Sequence, residues 1–322
     1  LLVAPVEEGD VAAAQPLVAD GIGGLLLLGS GAPSNLGVDI RQVDRSALGG
    51  ISPVFMADEE GGGIQRLADL VGSLPWPRFM AQTMSAAGIE ASAHRVGLAM
   101  RSAGVRMDLA PVLDLSDGPG PNARYADGER SFSIDPTVAA ADGLAFARGL
   151  MEAGVTPVVK HFPGLGQATY NTDFGPAEVP PLTTLQTAAL VPFRAAIAAG
   201  VPAIMVSNAG VPGLTGGLPV SLSAAAVTGL LRRTLGFKGL IVTDSLSADA
   251  VSDAGYSLPS AAVAAISAGS DLLIYNSITP VLTAEQMIDA IASAVVAGRV
   301  TLGQLRAAAA QVLAAKGIAA CR

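Results

Sequence analysis

The sequence predicts an α/β chain of the (β/α)8, TIM-barrel type, folded as a single domain. Three observations carry that expectation. About eight short apolar runs alternate with alanine-rich windows of helical period, as a barrel of this kind requires. A helix–glycine–strand junction recurs as SAGVRMDLA, EAGVTPVV, AAGVPAIM and SAGSDLLI. Charged and polar side chains also collect where the apolar runs stop, and in a barrel those ends share one mouth.

Taken in order, the predicted strands are 1–4, 24–28, 53–57, 106–110, 157–161, 203–207, 240–243 and 271–275. Most are near-continuous apolar runs, the pattern of parallel strands covered on both faces. The predicted helices are 89–103, 137–153, 185–199, 223–235 and 258–268, followed by two closing helices, 284–298 and 302–315. Gly104, Gly154, Gly200 and Gly269 stand where helices should stop, since glycine enters the left-handed conformation of a helix end without steric cost. Ser133 or Asp135 reads as the start of a helix with Pro136 as its first residue, where proline's missing N–H costs nothing. No linker, charge block or low-complexity segment divides the chain, so one barrel domain is expected over 1–322. An open doubly wound sheet is the weaker expectation, because no Gly-rich phosphate turn lies between a strand and a helix.

Composition narrows the function. With 322 residues and 51% hydrophobic content, a large core is available. The net charge of −8 and the lack of a basic stretch argue against nucleic acid as a partner. No apolar run reaches the ~18–20 residues that span a bilayer. Cys321 is the only cysteine, so an internal disulfide and a cysteine-rich metal site are excluded. No metal or cofactor motif is found, and none is expected. Leu1 begins inside a predicted strand, from which a trimmed leader or lipid anchor is expected.

The candidate site lies at the strand ends. Lys160 and His161 end the fifth strand, and His161 is one of only two histidines. The other, His94, falls inside a helix and reads as a surface or core residue. Asp58, Glu59 and Glu60 follow the third strand, three adjacent carboxylates where a helix cap needs one. Asp114 and Asn276 are read as helix caps or solvated loop residues, and Arg130 as a loop arginine. Arg66 reads as a pairing partner for one of the carboxylates. Asp244 ends the run GLIVTD, and cations opposite it would keep it ionised. An ionised carboxylate there can attack an anomeric carbon and form a glycosyl-enzyme.

The segments ADEEGGGIQRL, VRMDLAPVLDL, GERSFSIDP, VVKHFPGLG, VPGLTGGLPVSLS and IVTDSLS together resemble glycoside hydrolase family 3. The narrower resemblance is to its single-domain bacterial β-N-acetylglucosaminidases. That resemblance implies retaining hydrolysis of terminal β-linked N-acetylglucosamine, for instance from cell-wall muropeptides. It makes Asp244 the nucleophile. Asp58, Arg130, Lys160 and His161 become the groups that hold the sugar hydroxyls, Arg66 a peripheral site residue, and Met205 a wall of the sugar subsite. It further suggests an exported, lipid-anchored envelope protein, with a cytoplasmic one as the alternative, acting as a monomer on carbohydrate.

Departures from the family pattern concentrate in one loop. Where the resemblance implies G-H-G and then D-S-H, this chain reads Gly164-Leu165-Gly166 and Asn171-Thr172-Asp173. The implied acid/base histidine is therefore Asp173, and its orienting aspartate is Asn171. A further family histidine after the sixth strand is Asn208, and Gly63 replaces a common arginine. Three readings follow: a hydrolase using Asp173 as its acid, a binding protein that keeps the pocket and regulates an envelope partner, or a different glycosidase or glycoside phosphorylase.

Overall fold

A computed structural model describes residues 1–318, so Cys321 lies outside the described residues. Eight strands form the barrel: β1 (Leu2–Glu7), β2 (Gly24–Leu28), β3 (Val54–Ala57), β4 (Met107–Asp108), β5 (Thr156–Phe162), β6 (Ala203–Val206), β7 (Leu240–Thr243) and β8 (Leu273–Ile274). Every neighbouring pair in the ring is parallel, in the order β8-β1-β2-β3-β4-β5-β6-β7. The ring closes through a parallel bridge between Val242 and Leu272. All eight predicted strands are present. The fourth and eighth pair regularly over only two residues each. Beyond β4 the chain still tracks its neighbour through Val112, which bridges to Lys160.

Strand alternation sorts the side chains. Val3, Leu26, Met56, Met107, Val158, Met205, Val242 and Ile274 pack together in the lumen. Their neighbours Ala4, Leu25, Leu27, Phe55 and Ala57 face the surrounding helices instead. Asp58 continues the lumen parity of Met56, Lys160 that of Val158, and Asp244 that of Val242. The same two-residue period that buries the core therefore aims these three polar groups into the barrel at its C-terminal rim.

The longer helices are α1 (Leu36–Asp44), α2 (Ala86–Ser102), α3 (Pro136–Ala153), α4 (Leu190–Ala198), α5 (Leu258–Ala268), α6 (Pro280–Val296) and α7 (Leu302–Ala315). Asp135 caps α3 by accepting from Thr137 N and Val138 N, with Pro136 in its first turn and Gly154 at φ 78° as its stop. The expected helix 185–199 is broken. A single turn, Leu182–Leu185, precedes α4, because Pro192 has no N–H to bond back to Ala188. The expected α-helix 223–235 is a π-helix over Ala225–Thr234, whose wider turns leave no mark in the apolar spacing. The carboxylate segment after β3 caps no helix. It forms an antiparallel hairpin, Glu59–Gly61 with Ile64–Gln65, turning at Gly62, φ 58°, under the Trp76 ring.

At the other end of the barrel α7 crosses the base. Val312 joins the lumen cluster, and Gln311 Nε2 donates to Lys238 O, just ahead of β7, at 3.0 Å. No helix among the described residues is long and apolar enough to cross a membrane. His94 lies on α2 where α3 passes closest. A Cβ on Gly149 of α3 would collide with the Glu90 carbonyl and crowd His94 N. Gly149→Ala is thus expected to destabilise the fold by about 1–3 kcal/mol, the cost of overpacking a close seam. A urea-unfolding midpoint equal to wild type would refute that packing.

Candidate active site

One cavity of about 420 Å³ opens at the C-terminal rim of the strands. Its walls include the eight residues expected to do chemistry or bind substrate: Asp58, Arg66, Arg130, Lys160, His161, Asp173, Met205 and Asp244. Leu26, Leu109, Met205 and Ile274 form an apolar floor beneath a polar rim.

A buried carboxylate organises one wall. Glu60 is fully enclosed and accepts from Arg130 Nε and Nη2, both at 2.8 Å. Lys160 Nζ lies 2.7 Å from Glu60 Oε1 and 2.6 Å from Asp58 Oδ1. Burial alone would raise the Glu60 pKa. Arg130 and Lys160 outweigh that effect and hold it well below the usual carboxylate range. Glu60 thus neutralises two cations that arrive from a distant loop and a distant strand, while Asp58 keeps one oxygen free for the cavity. Arg78 fixes the Arg130 loop from outside, donating to the carbonyls of Ser116, Gly118 and Gly128 at 3.1, 3.0 and 2.6 Å.

Asp114 overturns its sequence reading. It is wholly buried and is neither a cap nor solvated. Its carboxyl receives His161 N at 3.1 Å, Leu165 N at 2.6 Å and the His161 ring nitrogen Nδ1 at 2.6 Å. Burial raises its pKa to about 7, against the opposing effect of the N–H donors of Leu165 and His161. On the far side of the ring, Arg130 Nη2 sits 3.3 Å from His161 Nε2. An arginine can only donate, so Nε2 accepts and the ring proton resides on Nδ1. Burial first, and Arg130 next, lower the His161 pKa to about 3. His161 is therefore a neutral, fixed ring whose Nε2 carries no proton to give. Asn276 stays an exposed loop residue at the rim. Arg130 does lie in the loop after β4, but it is not solvated: its partners leave the side chain only 12% exposed. Arg66 lines the cavity but forms no ion pair among the described residues, so it does not pair with the carboxylates as expected.

Two further carboxyls face the cavity from other elements. Asp244 follows β7; its backbone N–H donates to Val206 O at 2.9 Å, and its Oδ1 accepts from Ser245 N at 2.7 Å. It caps no helix, since the next one starts after Ala248. Burial raises its pKa, with His161 opposing and Asp173 adding to the rise. Asp173 is an exposed residue, yet the protein crowding its carboxyl raises its pKa too, with Arg130 opposing and Asp58 and Asp249 adding to it. Its loop is docked on both sides. Asn171 accepts from Asp173 N at 3.0 Å and donates to Asn122 O at 3.1 Å, while Ala250 N donates to Thr172 O at 3.1 Å. Glu60's central place has no signal in the sequence beyond the excess of adjacent carboxylates. For Asp114, a buried aspartate flanked by leucines in LAPVLDL was the available signal.

Over residues 10–315 the chain matches the glycosyl hydrolase family 3 N terminal domain. It is similar to β-hexosaminidase LpqI of Mycobacterium tuberculosis, 35% identical over 317 residues that cover 96% of this chain and 79% of the relative. Among solved structures it resembles a GH3-family glycosyl hydrolase from Mycobacterium smegmatis, with 34% identity, a TM-score of 0.87, and coverage of 99% of this chain and 96% of that one. A β-N-acetylhexosaminidase from Beutenbergia cavernae is similar at 29% identity and a TM-score of 0.89, with 99% and 96% covered.

The buried triad sets an expectation for stability. Glu60→Gln leaves Arg130 and Lys160 enclosed without their counter-charge, and should cost about 3–5 kcal/mol. The sign of the pH effect follows from the lowered Glu60 pKa. Its stabilising contribution is complete above the unfolded value of about 4.3 and disappears as pH falls through the folded value. Thermal melts of the two proteins should therefore differ most near neutral pH and converge in acid. A constant gap across pH would contradict this assignment.

Proposed function

The chain belongs to glycosyl hydrolase family 3, and we propose that it hydrolyses terminal β-linked N-acetylglucosamine with retention of configuration. The observation that carries the reading is the pair of carboxyls, Asp244 and Asp173, brought to one cavity from separate elements, each with a raised pKa. Such a pair supplies both functions that glycoside cleavage requires.

Asp244, ionised and oriented by Ser245 N–H, attacks the anomeric carbon as Asp173 gives its proton to the departing oxygen. The covalent glycosyl-enzyme is then opened by water, which loses a proton to the Asp173 carboxylate as its oxygen bonds to the anomeric carbon. Asp244 leaves ionised and Asp173 leaves protonated, so the cycle closes. Asp58 accepts from sugar hydroxyls, and Lys160, Arg130 and Arg66 donate to them. His161, its Nε2 accepting from Arg130, holds that guanidinium toward the sugar, and Met205 lies against the sugar ring. This division of labour fits the raised pKa of Asp173, because a proton donor must hold its proton at working pH. His161 cannot fill that role with Nε2 already engaged by Arg130.

The relatives named as β-hexosaminidase and β-N-acetylhexosaminidase support the sugar assignment. A cell-wall muropeptide met outside the cytoplasm is the source we favour for that sugar. One observation favours a second reading, a sugar-binding protein with little turnover. The 164–180 loop holds no histidine, and Asp173 is exposed. Calorimetry with N-acetylglucosamine, set beside turnover of a natural disaccharide, separates the two.

Hydrolysis of an aryl β-N-acetylglucosaminide should follow a bell-shaped pH profile. Its acid limb reports ionisation of Asp244 above the ordinary aspartate range, and its alkaline limb reports proton loss from Asp173. Asp244→Asn should abolish turnover. Asp173→Asn should lower kcat by about 10²–10⁴-fold on a poor leaving group, far less on nitrophenol, and remove the alkaline limb. An unchanged profile in Asp173→Asn would exclude Asp173 as the donor.

A further inference from the structure

The carboxyl of Asp244 is held from behind by a chain of three hydrogen bonds. Ser221 Oγ donates to Asn208 Oδ1 at 2.6 Å. Asn208 Nδ2 donates to Ser245 O at 2.7 Å, and Ser245 N donates to Asp244 Oδ1 at 2.7 Å. Ser221 and Asn208 are buried, at 0% and 1% exposure. They are also fixed by the main chain, since Ser221 N donates to Ser207 O at 2.9 Å and Val220 N to Ala209 O at 3.0 Å.

From this arrangement we infer that Asn208, supported by Ser221, is a positioning residue for the nucleophile. It clamps the Ser245 residue so that its N–H stays aimed at Asp244 Oδ1, leaving the other oxygen directed at the substrate. The inference rests on Asp244 being the nucleophile. Asn208 never reaches the sugar; it is absent from the walls of the main cavity and borders a separate one of about 340 Å³ on the far side of the Asp173 loop. Its amide is suited to the task because it supplies one acceptor and one donor at opposite ends. An apolar side chain of similar size leaves Ser221 Oγ unpaired and Ser245 O with only the longer bond from Ala248 N, at 3.2 Å. The main chain of the turn is still held by Asp244 N to Val206 O and Leu246 N to Ile274 O, both 2.9 Å, but the Ser245 carbonyl then keeps only the local bond from Ala248 N, which ties it to its own turn and not to the strand beside it.

The test uses Asn208→Leu and Ser221→Ala in the whole chain, with folding checked by circular dichroism. Asn208→Leu should lower kcat by about 10- to 100-fold, the scale of a small misplacement of a reacting group, and leave KM within about twofold. Because Ser245 N–H favours the charged form of Asp244, its loss should move the acid limb of the pH profile upward. The Asp244 carboxyl should show the same upward shift in a ¹³C NMR titration, which needs no turnover. Ser221→Ala should produce both effects at smaller size, and carries the test if Asn208→Leu does not fold. An unshifted Asp244 titration in a folded variant overturns the positioning role. Wild type that lacks turnover would defeat the hydrolase reading alone, since the titration still decides this one.

Discussion

Everything at the rim depends on one enclosed carboxylate. Glu60 arrives on a short hairpin beyond β3, Lys160 on β5, and Arg130 on the long loop after β4. Without Glu60, two cations would face each other across a low-dielectric space and the loops would separate. With it, Asp58 is drawn to Lys160, and Arg130 is placed to donate into the His161 ring. Asp114 then fixes that ring from its other side. Charge pairing thus does more than hold the loops. It decides the protonation of a histidine, and so which groups can move protons in the cavity.

The barrel was legible because its signal is repetitive. Eight apolar runs, most of them followed by polar groups, cannot easily be arranged otherwise, and Asp58, Lys160 and Asp244 share lumen parity with core residues in their own strands. That parity is local and needs no knowledge of the rest of the chain. Roles that depend on long-range partnership were not legible. Nothing near Asp114 announces that a histidine 47 positions away will meet it. Glu60 was visible only as a surplus carboxylate, because its partners lie 70 and 100 residues downstream. The break before α4 could have been read from Pro192, whereas the π-helix over Ala225–Thr234 has no counterpart in the spacing.

The loop that departs most from the family's pattern is not loose. Asn171, standing where an orienting aspartate was implied, bonds the backbone of Asp173 and the neighbouring Asn122 loop. The substituted residues therefore form a self-consistent set, with the amide bracing the turn that carries the carboxyl. Preorganisation of this kind removes the need to order the loop when substrate arrives.

The closing helix has a bearing on how the chain is made. β1 pairs with β8, the most distant strand in sequence, and Val312 fills the floor of the lumen from α7. During synthesis the ring stays unsealed until its eighth strand emerges from the ribosome, and its base stays open until the last helix does. Nearly complete nascent chains would expose lumen-facing leucine, valine and methionine side chains to water. A chain ending between β8 and α7 would close its ring of strands yet leave the apolar base around Val312's place uncovered.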